Sequence, residues 1–181
     1  PEHTGSNPDQ IYLVPETWDW RSILQLILAI IGILDNSLII HIYRSTKTLK
    51  QNTTNTFIVA LAIADLVTSI ALIPFPMLSS VPQNALGNFY CRVVYSANIM
   101  WISIVASIFT LTMLAIERYT AVAYPSRYKI IFTKANTKRI IFGIWMLGLI
   151  INTFEYYGFF VGADGQCMYQ LPSPEFQMFL G

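Results

Sequence analysis

The stretch VVYSANIMWISIVASIFTLTMLAI, Val93–Ile116, holds 24 residues and not one charge. An α-helix rises about 1.5 Å per residue and the hydrocarbon core of a bilayer is about 30 Å thick, so roughly 20 residues cross it. A segment this long and this apolar belongs either inside a soluble bundle or in lipid, and its neighbours decide which. Three more runs share its character. Ser22–Tyr43 carries one acid, Asp35; Thr56–Leu78 carries one acid, Asp65; Ile140–Val161 carries only Glu155, near one end. Buried helices of a soluble bundle need amphipathic neighbours to cover them, and the chain has none to spare. In lipid every backbone N–H and C=O must be paired within the segment, so such runs become helices. Composition agrees. Hydrophobic residues make up 54% and charged residues 12%, about half the usual charged share. The expected fold class is all-α, an integral membrane helix bundle.

Composition also excludes several functions. The chain of 181 residues has a net charge of +1, without the basic excess that nucleic-acid binding needs. Two cysteines, Cys91 and Cys167, are too few for a disulfide scaffold or a four-cysteine zinc site. Two histidines, His3 and His41, make a histidine metal site or triad improbable, and nothing reads as an enzyme. Residues 1–20 carry Glu2, Asp9, Glu16 and Asp19 but no Lys or Arg before Arg21. That is not the basic-then-apolar pattern of a secretory signal. No internal repeat or low-complexity stretch is evident.

The loops set an orientation. Arg44, Lys47 and Lys50 follow the first run, and Arg118, Arg127, Lys129, Lys134, Lys138 and Arg139 lie between the third and fourth. Nine of the eleven basic residues therefore fall on one side, leaving Arg21 and Arg92 on the other. The positive-inside rule places those loops in the cytoplasm and the N-terminus outside. Trp18 and Trp20 sit where an interfacial aromatic belt would. The expected division is 1–20 outside, spans at 21–44, 56–80, 92–119 and 137–161, cytoplasmic loops at 45–55 and 120–136, and outer loops at 81–91 and 162–173. The tail at 174–181 turns apolar after two prolines and reads as the start of a fifth helix that is cut off. Asn52-Thr-Thr54 is a glycosylation pattern, but it falls in a cytoplasmic loop, away from the glycosylating compartment.

Polar groups inside the spans carry the chemistry. An acid at mid-bilayer costs about 2.5–3.5 kcal/mol on insertion scales, so it faces protein or water and has a use. Asp65 is either a buried acid satisfied by hydroxyls or an ion or proton site. The third run offers it a partner. At about 100° per residue, Ser107 lies within about 20° of Arg118, and Met100 lies about five full turns before it. One face therefore carries Met100, Ile104, Ser107, Leu114 and Arg118. Met100 and Ile104 either pack helices or line a pocket. Glu117-Arg118-Tyr119 is an interfacial ion pair or something more specific. Cys91 and Cys167 share the outer, oxidising side, where a disulfide is favoured over two free thiols.

Taken together these residues resemble the rhodopsin-like (class A) G-protein-coupled receptors. Asn36 matches the asparagine of the family's first helix, and Leu61-Ala-Ile-Ala-Asp65 the Leu-Ala-x-Ala-Asp motif of its second. Glu117-Arg118-Tyr119 matches the Asp/Glu-Arg-Tyr motif that ends its third, and Pro125 the proline of the following loop. Trp145 matches the tryptophan of its fourth helix, and Cys91 with Cys167 its outer disulfide. The resemblance implies the first four of seven transmembrane helices. It implies that Glu117, Arg118, Tyr119 and Pro125 serve coupling to a heterotrimeric G protein. Asp65, Ser107 and Asn36 would belong to a sodium site. Met100, Trp101 and Ile104 would touch an extracellular ligand, and Ile108 with Trp145 would serve packing and switching. Retinal would need a lysine in a seventh helix that lies beyond these residues.

The chain also departs from the family. Cys91 to Arg118 spans two residues more than usual. Ala60 replaces an asparagine that often braces the tryptophan of helix four. Asn84 stands where the first outer loop usually has a tryptophan, and Asp35 is an extra acid beside Asn36. Met100 replaces the aspartate that amine receptors use, which disfavours an amine ligand. Two other readings account for four spans: a four-span membrane scaffold, and a small proton-coupled transporter using Asp65. The transporter reading predicts an internal repeat, which the sequence lacks.

Overall fold

The computed structural model describes residues 19–74, 78 and 81–170. The expectations for the N-terminal segment before Asp19 and for the tail at 174–181 lie outside the described residues. The chain forms α1 (Trp20–Ser45), a 3₁₀ turn at Leu49–Gln51, α2 (Thr53–Ala71) and a short α3 (Ala85–Phe89). A π-helical turn at Tyr90–Tyr95 leads into α4 (Asn98–Ala123). Then come α5 (Pro125–Ile131), α6 (Lys134–Ile151), α7 (Thr153–Gly158) and the strands β1 (Phe159–Val161) and β2 (Cys167–Tyr169). Among the described residues, four helical stretches are long and apolar enough to cross a membrane: Trp20–Ser45, Thr53–Ala71, Ala85–Ala123 and Lys134–Gly158.

The spans start where side chains satisfy the free N–H groups of the first turn. Asp19 accepts from the backbone N–H of Ser22 at 2.9 Å, Asn52 from that of Thr54 at 3.0 Å, and Thr133 from that of Asn136 at 3.3 Å. The Asn52-Thr-Thr54 pattern is thus a helix cap in this fold. It starts α2 at Thr53, three residues before the expected 56. The same helix ends at Ala71 rather than 80. Pro74 follows closely; it lacks an N–H and pushes the residue before it away from helical geometry. The fourth span also differs from the expected 137–161. It is interrupted at Asn152 and gives way to a strand at Phe159.

α2 lies between α1 and α4, and α6 packs on α4 and reaches α2. Most of the buried residues at the contact surfaces are small, although Phe57, Phe132 and Ile144 are buried too. Ala29, Ala60, Ala62, Ala64 and Ala106 are buried, as are Ser103, Thr110 and Thr137. Without water to drive apolar surfaces together, helices in lipid associate through close backbone approach and interhelical hydrogen bonds, and small residues permit both. A Cβ on Gly32 would collide with the Ser69 hydroxyl across the α1–α2 contact, and one on Gly148 would sit 3.1 Å from the Ile102 carbonyl across α4–α6. Large apolar side chains point the other way. Ile23, Leu24, Ile27, Leu28, Ile31 and Leu34 of α1 are exposed, as are Phe142, Leu149 and Ile150 of α6, as expected of surfaces that meet lipid.

The outer end is closed by an antiparallel hairpin, with Val161 opposite Cys167. Gly165, at φ 75°, makes its tight turn possible. The hairpin is tied to the third span. The Arg92 guanidinium donates to the Phe159 carbonyl at 3.1 Å and stacks over the Tyr156 ring, the Val161 N–H donates to Asn88, and Cys91 and Cys167 form a disulfide.

The third span is not one helix. The π turn at Tyr90–Tyr95 is followed by Ala97 in the left-handed region, with φ 52°. A π turn inserts extra backbone into a helix, and a left-handed residue resets its direction. This irregular turn lies between Cys91 and Arg118, the interval that is two residues longer than the resemblance leads one to expect. Below Ala97 the helix is regular to Ala123, and above it Cys91 still meets Cys167.

Candidate functional site

At mid-depth the Ser107 hydroxyl donates to an Asp65 carboxylate oxygen at 2.7 Å, joining α4 to α2. Both residues are half-buried. Just outward of them, the Thr68 and Ser103 hydroxyls lie 2.8 Å apart between the same two helices. Asn36 behaves differently from the third member of a common site. Its amide donates to the Gly32 carbonyl of its own helix at 2.9 Å. Gly32 in turn abuts Ser69, whose hydroxyl donates to the Asp65 backbone carbonyl at 2.7 Å. Asn36 therefore reaches Asp65 through backbone and packing. A hard cation takes oxygen ligands, with at least one anionic. The Asp65 carboxylate and the Ser107 hydroxyl fit sodium as two ligands of such a set. No group of three or more His, Cys, Asp or Glu side chains suited to a metal occurs among the described residues.

The inner end of α4 holds a second constellation. Glu117 is buried, at 1% exposure. One of its carboxylate oxygens accepts from Thr54 and from Tyr128, each at 2.8 Å, with the Thr53 hydroxyl at 3.4 Å. Thr53 and Tyr128 also lie within 2.9 Å of each other. The other oxygen has no hydrogen-bond partner and lies 3.8 Å from Arg118 Nε, an ion-pair distance rather than a hydrogen bond. The Arg118 side chain is 64% exposed, so solvent screens much of that attraction. The charge of Glu117 is thus held by hydroxyls from α2 and α5, while the guanidinium beside it stays open to the surroundings. Tyr119 is exposed and meets Tyr124 edge-to-face at 6.1 Å. Pro125 opens α5, where its missing N–H costs nothing in the first turn.

The remaining predicted residues divide by position. Met100 and Ile104 are half-buried, whereas Trp101 and Ile108 are exposed on the outward side of α4. Trp145 packs against the cluster of Ala64, Ala106 and Ile144. Ala60 is buried as well. Asp35 is exposed on α1, turned away from the buried Ala29.

Sequence reading missed Thr53, Thr54 and Tyr128 as the partners of Glu117. It also missed Asn98 and Asn152, which join the outer ends of α4 and α6 through a 3.3 Å bond from the Asn98 amide to the Asn152 carbonyl. A buried asparagine in an apolar run is such a signal, because an unpaired amide in lipid is costly. The two threonines gave none beyond their place after a cap.

Two comparisons with known proteins bear on this arrangement. The profile of the family described as 7 transmembrane receptor (rhodopsin family) matches residues 35–180. Melatonin receptor type 1A of Mus musculus is 39% identical over 125 residues, which cover 67% of this chain and 34% of that protein. The gastrin/cholecystokinin type B receptor of Canis lupus familiaris is 29% identical over 159 residues, covering 84% and 34%, and the adenosine receptor A2b of Gallus gallus is 32% identical over 130 residues, covering 72% and 37%. The chain thus spans about a third of the length of the curated relatives it matches.

Proposed function

The chain belongs to the rhodopsin family of seven-transmembrane receptors, and from that premise we propose that it is the first four helices of a receptor that passes an extracellular signal to a heterotrimeric G protein. It is a multi-pass membrane protein of a receptor family, not of an enzyme family. The scaffold and transporter readings are not favoured, because the relatives are receptors. The segregated basic residues support an outside N-terminus at the plasma membrane, with Arg118 and α5 in the cytoplasm.

One observation carries the coupling assignment: a buried Glu117 with one carboxylate oxygen held by three hydroxyls and the other 3.8 Å from an Arg118 that is mostly exposed. An arginine whose acidic neighbour is anchored elsewhere, and holds it by no hydrogen bond, is available to a partner that approaches from the inner side. A ligand can drive such approach only by binding one arrangement of the bundle more tightly than another. Met100, Trp101 and Ile104 face the outer half, where an extracellular ligand would reach them. Asp65 with Ser107 would hold sodium in the resting arrangement. The test is Arg118→Ala in the receptor at matched surface expression, read by nucleotide exchange on a G protein. Loss of exchange supports the assignment, and normal exchange removes Arg118 from it.

A further inference from the structure

Asp35 is the intramembrane acid that the receptor reading leaves without a use. It lies within α1, is exposed, and has neither a hydrogen bond nor an ion pair among the described residues. Its level follows from the α1–α2 contact. Gly32 abuts Ser69, and the Tyr43 hydroxyl lies 3.4 Å from that of Thr56, so the two helices run antiparallel. Position 35 falls between these contacts, at about the level of Asp65.

Its side follows from helical phase. Gln25, Gly32 and Tyr43 form the strip of α1 that meets α2. At about 100° per residue, Asp35 stands about a quarter turn around from that strip. The handedness of the helices fixes the flank. With Asp65 and Thr68 of α2 turned to α4 and Ser69 turned to α1, Asp35 lies on the flank of the pair where α4 stands. Because α2 lies between α1 and α4, those two helices wall a groove with α2 as its floor. Two acids stand in it at one level, and only Asp65 has a partner, in Ser107. Leu24, Leu28 and Ile42 lie within about 20° of Asp35 in phase and are exposed at 48%, 53% and 47%. The strip is a helix-packing surface with one polar residue in it.

Lipid, a second copy and a further span are the possible covers. Lipid is the worst, since an acid in hydrocarbon is costly unless protein or water meets it. A second copy packed symmetrically on this strip sets Asp35 against Asp35, like charge against like. A further span of the same receptor meets neither objection. The family has seven spans, four are among the described residues, and the matched stretch is 34% of the mouse melatonin receptor's length.

We propose that Asp35 is an intramembrane anchor. Its carboxyl accepts from a lysine, arginine or amide side chain on a further span of the same receptor, seated in the groove between α1 and α4. A polar residue in an apolar seam fixes register at a cost in stability, so this bond sets how that span sits beside Asp65 and Ser107. The inference rests on the family's seven spans, and on neither the coupling nor the sodium assignment.

The experiment uses the full-length receptor in lipid nanodiscs. The photo-crosslinker p-benzoylphenylalanine is placed at Leu28, about two turns from Asp35 on the same strip, or at Ile30 on the opposite flank. Mass spectrometry identifies what each captures. Leu28 is expected to capture a peptide beyond Gly181 of the same polypeptide, with no change in molecular mass, and Ile30 to capture lipid. Lipid alone at Leu28, or a doubled mass, overturns the proposal. The bond itself is tested by substitution. Asp35→Leu strands the donor and is expected to lower the unfolding midpoint by about 5 °C. Taking an acid out of lipid has the opposite sign, so a raised or unchanged midpoint overturns the anchor. Leucine in place of the donor in the captured span, combined with Asp35→Leu, is expected to restore the midpoint, because neither group is then left unpaired. Losses that simply add overturn the bond. None of these readouts involves a G protein, so failure here is distinguishable from failure of the coupling assignment.

Discussion

The Tyr128 hydroxyl donates to Glu117 at 2.8 Å, so the short helix α5 is fastened to the buried acid at the end of α4. A hydrogen bond to a charged, buried acceptor contributes about 1.5–3 kcal/mol. Tyr128→Phe keeps the ring stack on Phe132 and removes the hydroxyl, with its hydrogen bonds to Glu117 and Thr53. We expect a lower unfolding midpoint and a higher ligand-independent nucleotide exchange, since Glu117 then leans more on Arg118 and α5 is freed. An unchanged midpoint would show that Thr53 and Thr54 suffice.

Sodium provides a test of Asp65 and Ser107 that needs no known ligand. An ion that binds only the folded bundle raises its stability by mass action. The unfolding midpoint in sodium chloride should exceed that in choline chloride at equal ionic strength. Asp65→Asn should abolish the difference, and Ser107→Ala should reduce it. A sodium effect that survives Asp65→Asn would locate the ion elsewhere.

The glycines make opposite predictions within one fold. Gly143 has nothing within 4 Å of where a Cβ would stand, whereas Gly32 meets Ser69. Gly143→Ala should stabilise by about 0.5–1 kcal/mol through the lower entropy of the unfolded chain. Gly32→Ala should destabilise by about 1–3 kcal/mol through overpacking, with partial recovery in Gly32→Ala combined with Ser69→Ala. Thermal denaturation of the three variants and the parent chain in one detergent decides the matter.

Ala97 is a non-glycine residue with φ 52°. A left-handed alanine costs roughly 1–2 kcal/mol, which glycine does not incur. Ala97→Gly should therefore raise the unfolding midpoint and Ala97→Val should lower it. If valine is harmless, the irregular turn is more adaptable than its backbone indicates.

Reducing the outer disulfide should act on the fold rather than on the inner end. Cys91 and Cys167 are 76 residues apart in sequence, and a loop of that length contributes about 2–5 kcal/mol when closed. Cys91→Ser should cost stability on that order. Hydrogen exchange should rise first in β1 and β2, where the hairpin loses its covalent tie to the third span.

The spans were legible because lipid imposes one requirement on a whole segment, and 20-odd apolar residues announce it. The Asp65–Ser107 contact was half legible. Helical phase put Ser107 on the face of Arg118, and the cost of an intramembrane acid demanded a partner for Asp65. The cage around Glu117 was not legible. Its donors lie 63, 64 and 11 residues away, and threonine and tyrosine hydroxyls are too common to mark themselves. The surplus of two residues before Arg118 was visible as a count. Its resolution into a π turn and a left-handed alanine was not, because several irregular backbones absorb the same excess. The hairpin hid across the expected end of the fourth span and the loop after it, although Asp164-Gly165 between apolar flanks is a turn signal.

The irregular stretch from Tyr90 to Ala97 leaves slack in the screw of the third span. Two additional residues in an unbroken α-helix would rotate everything beyond them by about 200°, and Cys91 would swing away from the hairpin. Taking up the excess in one short segment decouples the two ends. The outer third can lengthen, shorten or change side chains while the register of Ser107, Glu117 and Arg118 is left alone. A lineage that varied what its receptors sense, while preserving what they speak to inside, would find that arrangement permissive.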